Sequence, residues 1–343
     1  MSATPMPVYF CPQKGVDILI IQTAFIGDVV LATPLIEKLR RAYPHAQIDF
    51  LLRKGNEGLL HGHPHLREVL IWDKKKDKYR GLWRLLGQIR ARRYHTVVNC
   101  QRFAASGLLT ACSGARHTCG FDKNPLSFLF SKRISHRIGT ASAPVHEVDR
   151  NLSLIYHLTD TSFQPPRLYP LPPDYVAAEQ HMSGKYVCIA PTSVWHTKQY
   201  PAHKWAALIQ ALPLDCTVCL LGGPADFTAC QHIADTSGGH RVLNLAGRLS
   251  FLESAALMQK AAMNYVNDSA PLHIASAMDA PVTAVFCSTL PAFGFTPLST
   301  QSRVVQTHLA LPCRPCGLHG RAACPEGHFQ CAESIQTSQF PVE

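Results

Sequence analysis

Two segments in the second half of the chain combine polar residues that suit phosphate binding with the pattern of a strand ending at a helix. The first is "NDSAPLHIASAM", residues 267–278. Asp268 or Ser269 can serve there as a helix N-cap, and Pro271 is tolerated in the first turn. The free N–H groups of that turn attract an anion, and His273, one turn later, can donate to a phosphate or sugar oxygen. The alternative is a capped structural helix with a satisfied histidine.

The second segment is "PTSVWHTKQYPAHKW", residues 191–205, which follows an apolar run. Thr192 and Ser193 offer hydroxyl groups, Lys198 offers a positive charge, and a helix is predicted after Pro201. This order of residues can grip a diphosphate, with the lysine neutralising the charge on a leaving group. The alternative is a lysine that is simply solvated.

A third strand end, in "LLGGPAD" at 220–226, carries a glycine turn that a nucleotide backbone can approach closely. Together the three segments predict a nucleotide-diphosphate site in the second half of the chain. The residues assigned to it are Thr192, Ser193, Lys198, Gly222, Asp268, Ser269, Ala270 and His273.

A different strand end lies in the first half, where "FIGDVVLATP" (25–34) follows the apolar run "VDILIIQ" (16–22). Gly27 allows a tight turn there, but the carboxylate of Asp28 would repel a phosphate on the next helix. We therefore predict that this turn serves the acceptor, and that Asp28 is a general base that takes a proton from the attacking hydroxyl. The alternative is helix capping, because a carboxylate stabilises a helix N-terminus. The local sequence fits both roles.

Alternating strand-like and helix-like segments must position these turns. Ser250 and Glu253 form a capping box that starts one of the helices. Such alternation predicts parallel sheets covered by helices. The predicted strands are 16–22, 47–52, 68–72 and 95–100 in the first half, and 185–191, 216–223, 241–247, 263–268 and 281–286 in the second.

Five prolines within residues 161–175 predict a stiff linker between two α/β halves, and the length of 343 residues also suits two domains. We predict a Rossmann-like acceptor-binding domain over 1–160 and a proline-rich linker over 161–183. A Rossmann-like nucleotide-binding domain with a cysteine-rich tail is predicted over 184–343. The two domains are expected to face a cleft, with Asp28 on the side opposite the diphosphate.

The net charge of +10, from 33 basic and 23 acidic residues, favours an anionic partner. Residues 74–95 concentrate this charge, with leucine and isoleucine at helical spacing among the arginines. They predict a basic amphipathic helix that either lies against an anionic membrane surface or packs in its domain with a solvated basic face. The basic residues form no recognisable nucleic-acid motif, so nucleic-acid binding is not expected.

No stretch reaches the ~20 uninterrupted apolar residues of a membrane span, and the N-terminal sequence lacks a signal-peptide layout. We therefore expect a cytoplasmic protein, in which the 13 cysteines stay reduced. Four cysteines near the C-terminus begin with a CxxC pair, and four thiolates suit a tetrahedral structural zinc or iron site. The predicted ligands are Cys313, Cys316, Cys324 and Cys331, with His319 and His328 as substitutes and free thiols as the competing interpretation.

These motifs resemble, in order, those of glycosyltransferase family 9, the heptosyltransferases that build the inner core of lipopolysaccharide. The resemblance spans nearly the whole chain. It implies a GT-B fold and inverting transfer of a heptose from an ADP-activated donor to an inner-core acceptor, with no cofactor or metal in catalysis. The matching pieces are "ILIIQTAFIGDVVLATPLIEKLRRAYPHAQIDFLL", "HPHLREVLIWD", "GFD" at 120–122, "HEVDRNLSLI" at 146–155, "IAPTSVWHTKQYPAHKWAALI", "VNDSAPLHIASAMDAPVTAVF" and the cysteine-rich end.

The resemblance also implies roles for single residues. Asp28 matches the proposed base and Lys198 the contact to the donor phosphates, while Asp268, Ser269 and His273 match the donor-binding turn. The implied acceptor is an anionic, lipid-linked saccharide. The implied location is the cytoplasmic face of the inner membrane, with peripheral association.

Ala270 departs from the family pattern, which usually has glycine at this position. If the position needs a positive φ or close approach to a phosphate, alanine is costly there. Two alternatives therefore stay open. One is a family member that uses another nucleotide sugar or a protein acceptor, and the other is a nucleotide-binding protein whose catalytic site has decayed.

Overall fold

The computed structural model describes residues 16–76, 78–140, 142–182 and 184–342 of the chain. These residues form two compact units. Unit 1 consists of the described residues up to Arg137 together with Glu147–Gln164, and unit 2 consists of Ile138–His146 and the described residues from Pro165 onward. The observed division thus differs from the predicted boundaries at 160 and 184, since residues 138–146 pack with unit 2 and the proline-rich segment is shared between the units.

Unit 1 is built on a parallel sheet with the strand order β3-β2-β1-β4-β5-β6. Its described strands are β1 (Asp17–Ile21), β2 (Gln47–Arg53), β3 (Glu68–Trp72), β4 (Thr96–Asn99), β5 (His117–Phe121) and β6 (Lys132–Ile134). Its described helices are α1 (Ile26–Val30), α2 (Thr33–Ala42), α3 (Lys78–Arg92), α4 (Ala104–Ala111) and α5 (Glu147–Ser153). The central strands are apolar runs buried on both faces, as a parallel sheet covered by helices requires.

The basic amphipathic helix predicted within residues 74–95 is α3. Its leucine and isoleucine stripe is buried against the sheet, so the apolar side chains belong to the core of unit 1 and do not face a membrane. The helix therefore packs in its domain with its basic face outward, as the second interpretation predicts, and only this outward face is left to contact a membrane surface. The buried stripe is Leu82, Leu85, Leu86 and Ile89.

Unit 2 repeats the design with the strand order β12-β11-β10-β7-β8-β9, again parallel throughout. Its described strands are β7 (Tyr186–Ala190), β8 (Thr217–Leu220), β9 (Val242–Asn244), β10 (Asn264–Asn267), β11 (Val282–Phe286) and β12 (Ser302–Gln306). Its described helices are α6 (Pro172–Glu179), α7 (Ala202–Gln210), α8 (Phe227–Thr236), α9 (Phe251–Lys260), α10 (Ala270–Ala277) and α11 (Gln330–Glu333).

Two local features refine the sequence-based expectations for unit 2. The capping box at the start of α9 is confirmed, because Ser250 Oγ accepts from the Glu253 N–H at 3.2 Å and Glu253 Oε2 accepts from the Ser250 N–H at 2.6 Å. The predicted extended linker, in contrast, ends in helix α6. Tyr175 on α6 donates its hydroxyl to Gln259 Oε1 on α9 at 2.8 Å, which attaches this part of the segment to unit 2.

Both sheets have the doubly wound order of a Rossmann fold, in which the first and fourth strands of each unit lie side by side. These pairs are β1 with β4 in unit 1 and β7 with β10 in unit 2. From the two strands of such a pair, the chain continues toward opposite edges of the sheet. The carboxyl ends of the pair therefore border a crevice, and ligands of this fold class bind there.

Among the helices that the structure describes, none is both long and apolar enough to span a bilayer.

Candidate functional site

The carboxyl ends of β7 and β10 are held together by the side chain of Asn267. This residue is fully buried at the end of β10. Its Nδ2 donates to the Pro191 carbonyl at 2.8 Å, and its Oδ1 accepts from the Tyr200 N–H at 2.9 Å. One amide therefore fixes both ends of the 191–200 loop, which carries the predicted diphosphate-binding side chains.

Lys198 and Asp268 meet at this position. Lys198 Nζ lies 2.7 Å from Asp268 Oδ2, with the side chains only 15% and 5% exposed. Thr289, after β11, donates its hydroxyl to the same carboxylate oxygen at 2.6 Å. The lysine is therefore an oriented cation beside the crevice of unit 2, and the interpretation of a simply solvated lysine does not hold. Sequence spacing did not reveal that the two predicted donor residues pair with each other.

Helix α10 begins beside this pair. Ser269 is its N-cap by backbone conformation, but the Ser269 hydroxyl lies 3.4 Å from the Asn267 carbonyl and makes no hydrogen bond that caps the helix. Ala270 is the first residue of the helix, and its φ is not positive. The expected cost of a positive φ therefore does not arise, because a helical φ suits any L-residue, while the cost of close approach to a phosphate stays a prediction.

His273 lies one turn into α10 and is buried. Burial lowers its pKa to about 3, with further lowering by His146 and by the charge of Lys198, so the imidazole is neutral at physiological pH. Within the described residues its Nδ1 is buried and has no hydrogen-bond partner. The interpretation of a histidine satisfied by the protein therefore does not hold for Nδ1, a buried ring nitrogen that calls for a partner.

The remaining residues predicted to bind the donor lie at the same edge of the sheet. Thr192 and Ser193 follow β7, and the Ser193 carbonyl accepts from Gln199 Nε2 at 2.6 Å. Gly222 follows β8, the neighbour of β7. A Cβ on Gly222 would stand 2.8 Å from the Cβ of Asp226, whose carboxylate accepts the Gly223 N–H at 2.7 Å. The glycine is therefore explained by the turn itself, whatever binds beside it.

Asp28 occupies the corresponding edge of unit 1, at the start of α1 after β1. Its Oδ2 accepts from the Phe25 N–H at 3.0 Å, so the capping role is present. The segment that leads into this turn, which includes Gly27, is also contacted by a residue from elsewhere in unit 1. Lys74 Nζ donates to the Thr23 carbonyl at 2.8 Å, and burial lowers the pKa of Lys74 to about 8. Capping through one oxygen and proton abstraction are compatible, since a carboxylate accepts several hydrogen bonds.

Glu147 and Arg150, at the start of α5, form a second charged group beside Asp28 that the sequence reasoning did not single out. Arg150 Nε donates to Glu147 Oε2 at 2.8 Å, and both side chains are largely buried. Burial raises the pKa of Glu147, and the charge of Asp28 raises it further against the opposing effect of Arg150. The sequence string "HEVDR" could have indicated this pair, because Glu147 and Arg150 are three residues apart and so lie on one face of a helix.

The four cysteines predicted as metal ligands come together in unit 2. Cys313, Cys316, Cys324 and Cys331 line one cavity of about 150 Å³, which His328 also lines. Burial raises the pKa of Cys331 to about 11 and also raises that of Cys316, so these thiols are protonated at neutral pH. Within the described ranges, no three His, Cys, Asp or Glu side chains are already arranged as a ligand set. The predicted metal site therefore stays a prediction.

Comparisons of sequence and of structure relate this chain to one family of known proteins. The sequence profile of glycosyltransferase family 9 (heptosyltransferase) matches residues 82–321. Lipopolysaccharide heptosyltransferase 3 of Escherichia coli is 30% identical over 283 residues, which cover 77% of this chain and 82% of the relative.

Two solved structures share the fold. The glycosyl transferase family 9 protein from Veillonella parvula superposes with a TM-score of 0.77 at 21% identity, covering 87% of this chain and 88% of that one. The E. coli ADP-heptose lps heptosyltransferase II gives 0.75 at 21% identity, covering 94% and 96%. The predicted GT-B class is confirmed, and the chain belongs to glycosyltransferase family 9, the heptosyltransferase family.

Proposed function

We propose that this glycosyltransferase moves a heptose from an ADP-activated donor to a saccharide of the lipopolysaccharide core. The observation that carries the proposal is the Lys198–Asp268 pair, at 2.7 Å, beside the N-terminus of α10 at the crevice of unit 2. The relatives supply the choice of sugar and acceptor. They are a lipopolysaccharide heptosyltransferase and a solved ADP-heptose lps heptosyltransferase.

Unit 2 holds the donor in this proposal. The β7–β10 crevice places the Lys198 cation, the first-turn N–H groups of α10 and the neutral His273 on one side of the sheet edge. A departing diphosphate needs such fixed positive charge and N–H donors, since charge grows on its oxygen as the sugar leaves. Asp268 keeps the lysine in place, while Thr192 and Ser193 add hydroxyl donors from the 191–200 loop.

Unit 1 serves the acceptor. Asp28 takes the proton from the acceptor hydroxyl as that oxygen attacks the anomeric carbon, and the bond from that carbon to the diphosphate breaks. Lys74 holds Thr23, in the segment that leads to the Asp28 turn, and the setting of the turn is basic. The Arg53 guanidinium stacks over the ring of the exposed Phe25 at 4.6 Å. A positive surface beside the base suits an inner-core acceptor that carries phosphates or carboxylates.

The decisive experiment compares Asp28→Asn with Asp17→Asn in a transfer assay with ADP-heptose and in an ADP titration. Asparagine at 28 keeps an oxygen for the Phe25 N–H but cannot accept the proton. We expect turnover to fall by about 100-fold to 10,000-fold while ADP affinity stays within about twofold of the parent. Asp17, at the other end of β1, accepts from Arg67 Nη1 at 2.8 Å through an oxygen that asparagine can keep, so turnover should stay near that of the parent. Unchanged turnover in Asp28→Asn would refute the base assignment.

A donor panel tests the identity of the sugar. We expect ADP to bind more tightly than UDP or GDP, and ADP-heptose more tightly than ADP. A preference for UDP or GDP would favour a family member that uses another nucleotide sugar. Nucleotide binding without transfer to any saccharide or protein acceptor would favour a decayed site, although the helical backbone of Ala270 removes the argument from a positive φ.

We also propose peripheral attachment to an anionic membrane on its cytoplasmic side, where a lipid-linked acceptor is presented. Two aromatic side chains on the outward face of α3 support it, since Tyr79 is 70% exposed and Trp83 62% exposed. Arg80, Arg84 and Arg90 lie exposed on the same face. Exposed aromatic rings beside basic residues suit the interface of an anionic bilayer.

Finally, we propose that the cysteine cavity binds a structural zinc or iron ion. Four thiols and one imidazole around a small cavity are a donor set that suits either metal. Ligation requires the thiols to lose their protons and turn toward a common point. The ion would cross-link the 313–331 segment and takes no part in the transfer step.

A further inference from the structure

The segment that bears the four cysteines is fastened directly to the residue before Lys198. Thr197 is 1% exposed, and its N–H donates to the Arg321 carbonyl at 3.1 Å. In return, the Arg321 N–H donates to Thr197 Oγ1 at 2.8 Å. These two hydrogen bonds fix the position and orientation of the short 3-10 turn His196–Lys198 relative to the segment that bears the cysteines.

Gly320 completes this contact. It has a φ of +78°, and a Cβ built on it would stand 2.9 Å from Lys198 Cγ and 3.1 Å from the Thr197 hydroxyl oxygen. Real Cβ atoms do not approach other heavy atoms to 2.9 Å, so the aliphatic stem of Lys198 lies directly on the glycine backbone. Any side chain at 320 must displace the lysine or the loop.

The same segment also supports the partner of the lysine. Arg314 Nη2 donates to the Thr289 carbonyl at 2.8 Å, and the Thr289 hydroxyl donates to Asp268 at 2.6 Å. The Cys316 N–H donates to the Ser288 carbonyl at 3.0 Å. Both members of the ion pair therefore rest on residues 313–321, and the cysteine segment lies directly beneath the donor site of unit 2.

We propose that Gly320 is a positioning residue for Lys198: the bare backbone at 320 lets the lysine stem lie flat, so that its ammonium group reaches the donor diphosphate. The inference deepens the proposed function and rests on it, because it takes Lys198 to be the diphosphate contact. Thr197 is the second positioning residue, since its hydroxyl links the lysine turn to the loop.

The chain offers a matched control in Gly317. It lies in the same segment with a φ of +86°, and within the described residues nothing stands within 4 Å of a Cβ built there. Alanine imposes a similar backbone strain at both positions. Only at 320 does its methyl group press on Lys198. The difference between the two variants therefore isolates the contact with the lysine.

The experiment is an ADP titration of the full-length protein as parent, Lys198→Ala, Gly320→Ala and Gly317→Ala. We expect Lys198→Ala to weaken ADP binding by about tenfold or more. Gly320→Ala should reproduce most of that loss, and Gly317→Ala should bind within about twofold of the parent. Equal affinities for the two glycine variants would overturn the inference while leaving the proposed function standing. An unchanged affinity in Lys198→Ala would refute the role of the lysine itself.

A second pair keeps the proposal testable should Gly320→Ala fail to fold. Thr197→Val removes the hydroxyl at nearly constant volume, and Thr197→Ser restores it. We expect valine to raise the Kd for ADP by about tenfold and serine to recover most of the parent affinity. Thr283→Val, a buried change on β11 whose hydroxyl contacts only a Met263 sulfur at 3.5 Å among the described residues, is the control for packing. Equal affinities for Thr197→Val and Thr197→Ser would also overturn the inference.

Discussion

Lys198 and Asp268 lie 70 residues apart in the sequence, yet their charged groups meet at 2.7 Å because the strands that precede them, β7 and β10, are neighbours in the sheet. The pair is largely shielded from water, and the Thr289 hydroxyl donates a hydrogen bond to its carboxylate. A lysine held in this way loses little further freedom when a diphosphate arrives, because its side chain is already ordered. We therefore expect the carboxylate to contribute to donor binding by orienting the cation.

A double-mutant cycle on Lys198→Ala and Asp268→Ala measures this coupling. Each single change leaves a mostly buried charge without its partner, so each should lower the free energy of unfolding by about 1–3 kcal/mol. The double variant should lose less than the sum of the two. Lys260→Ala, an exposed lysine on α9, is the control. Strictly additive losses, measured by urea unfolding, would show that the two residues do not interact in solution.

Stability and activity measurements can separate the capping role of Asp28 from its proposed role as the base. The carboxylate caps α1 through the Phe25 N–H at 3.0 Å. Asp28→Ala removes both the cap and the base, whereas Asp28→Asn keeps an oxygen for the cap. We expect both variants to lose turnover alike, but only the alanine variant to lose about 0.5–2 kcal/mol of stability. Equal unfolding midpoints for the two would show that the cap contributes nothing.

The alternation of apolar runs was enough to predict nine of the strands and the Rossmann character of both units, because buried parallel strands must be continuous apolar runs. β5, β6 and β12 were missed for a physical reason. β5 (HTCGF) carries few β-branched residues, β6 has only three residues with charged side chains, and β12 (SRVVQ) is half-exposed at a sheet edge. Of the three, β6 and β12 lie at sheet edges, which need less burial, so their sequences carry a weaker signal.

The candidate site was predictable only in part. Strand ends followed by polar turns located Asp28, Lys198 and Asp268, since parallel strands align their carboxyl ends. The pairing of Lys198 with Asp268 could not be predicted from the sequence, because it depends on which strands are neighbours in the sheet. The contact of Gly320 with Lys198 likewise depends on a loop fold that no periodicity encodes.

The buried histidine of α10 predicts an acid-dependent loss of stability. His273 has a pKa lowered from 6.5 to about 3 by burial. Between these values the unfolded chain binds a proton that the folded chain does not, so stability falls as the pH drops below 6.5, by up to ~1.4 kcal/mol per pH unit. His273→Asn should make the decline between pH 7 and pH 5 shallower in urea unfolding. His232→Asn, at an exposed position, is the control. Parallel pH profiles for the parent and His273→Asn would contradict the burial argument.

The outward face of α3 predicts binding to anionic vesicles. Trp83→Ser combined with Arg84→Glu removes an exposed ring and reverses one charge without touching the buried stripe of the helix. We expect co-sedimentation with phosphatidylglycerol vesicles to fall by about tenfold or more, since each basic residue near such a surface contributes about 1 kcal/mol. Phe128→Ser, another exposed ring of unit 1, should have little effect. Binding to neutral phosphatidylcholine vesicles at the same level would contradict the electrostatic part of the proposal.

The cysteine cavity predicts a bound metal that can be counted. Elemental analysis of protein purified without air should find about one zinc or iron per chain, because four thiolates complete a tetrahedral shell. Cys324→Ser removes one ligand and should lower both the metal content and the melting temperature. Cys112→Ser, a cysteine of unit 1 that is also partly exposed, should change neither. If the parent holds no metal even after incubation with Zn²⁺ or Fe²⁺ under reducing conditions, the cavity is packed by protonated thiols, in line with the raised pKa of Cys316 and Cys331.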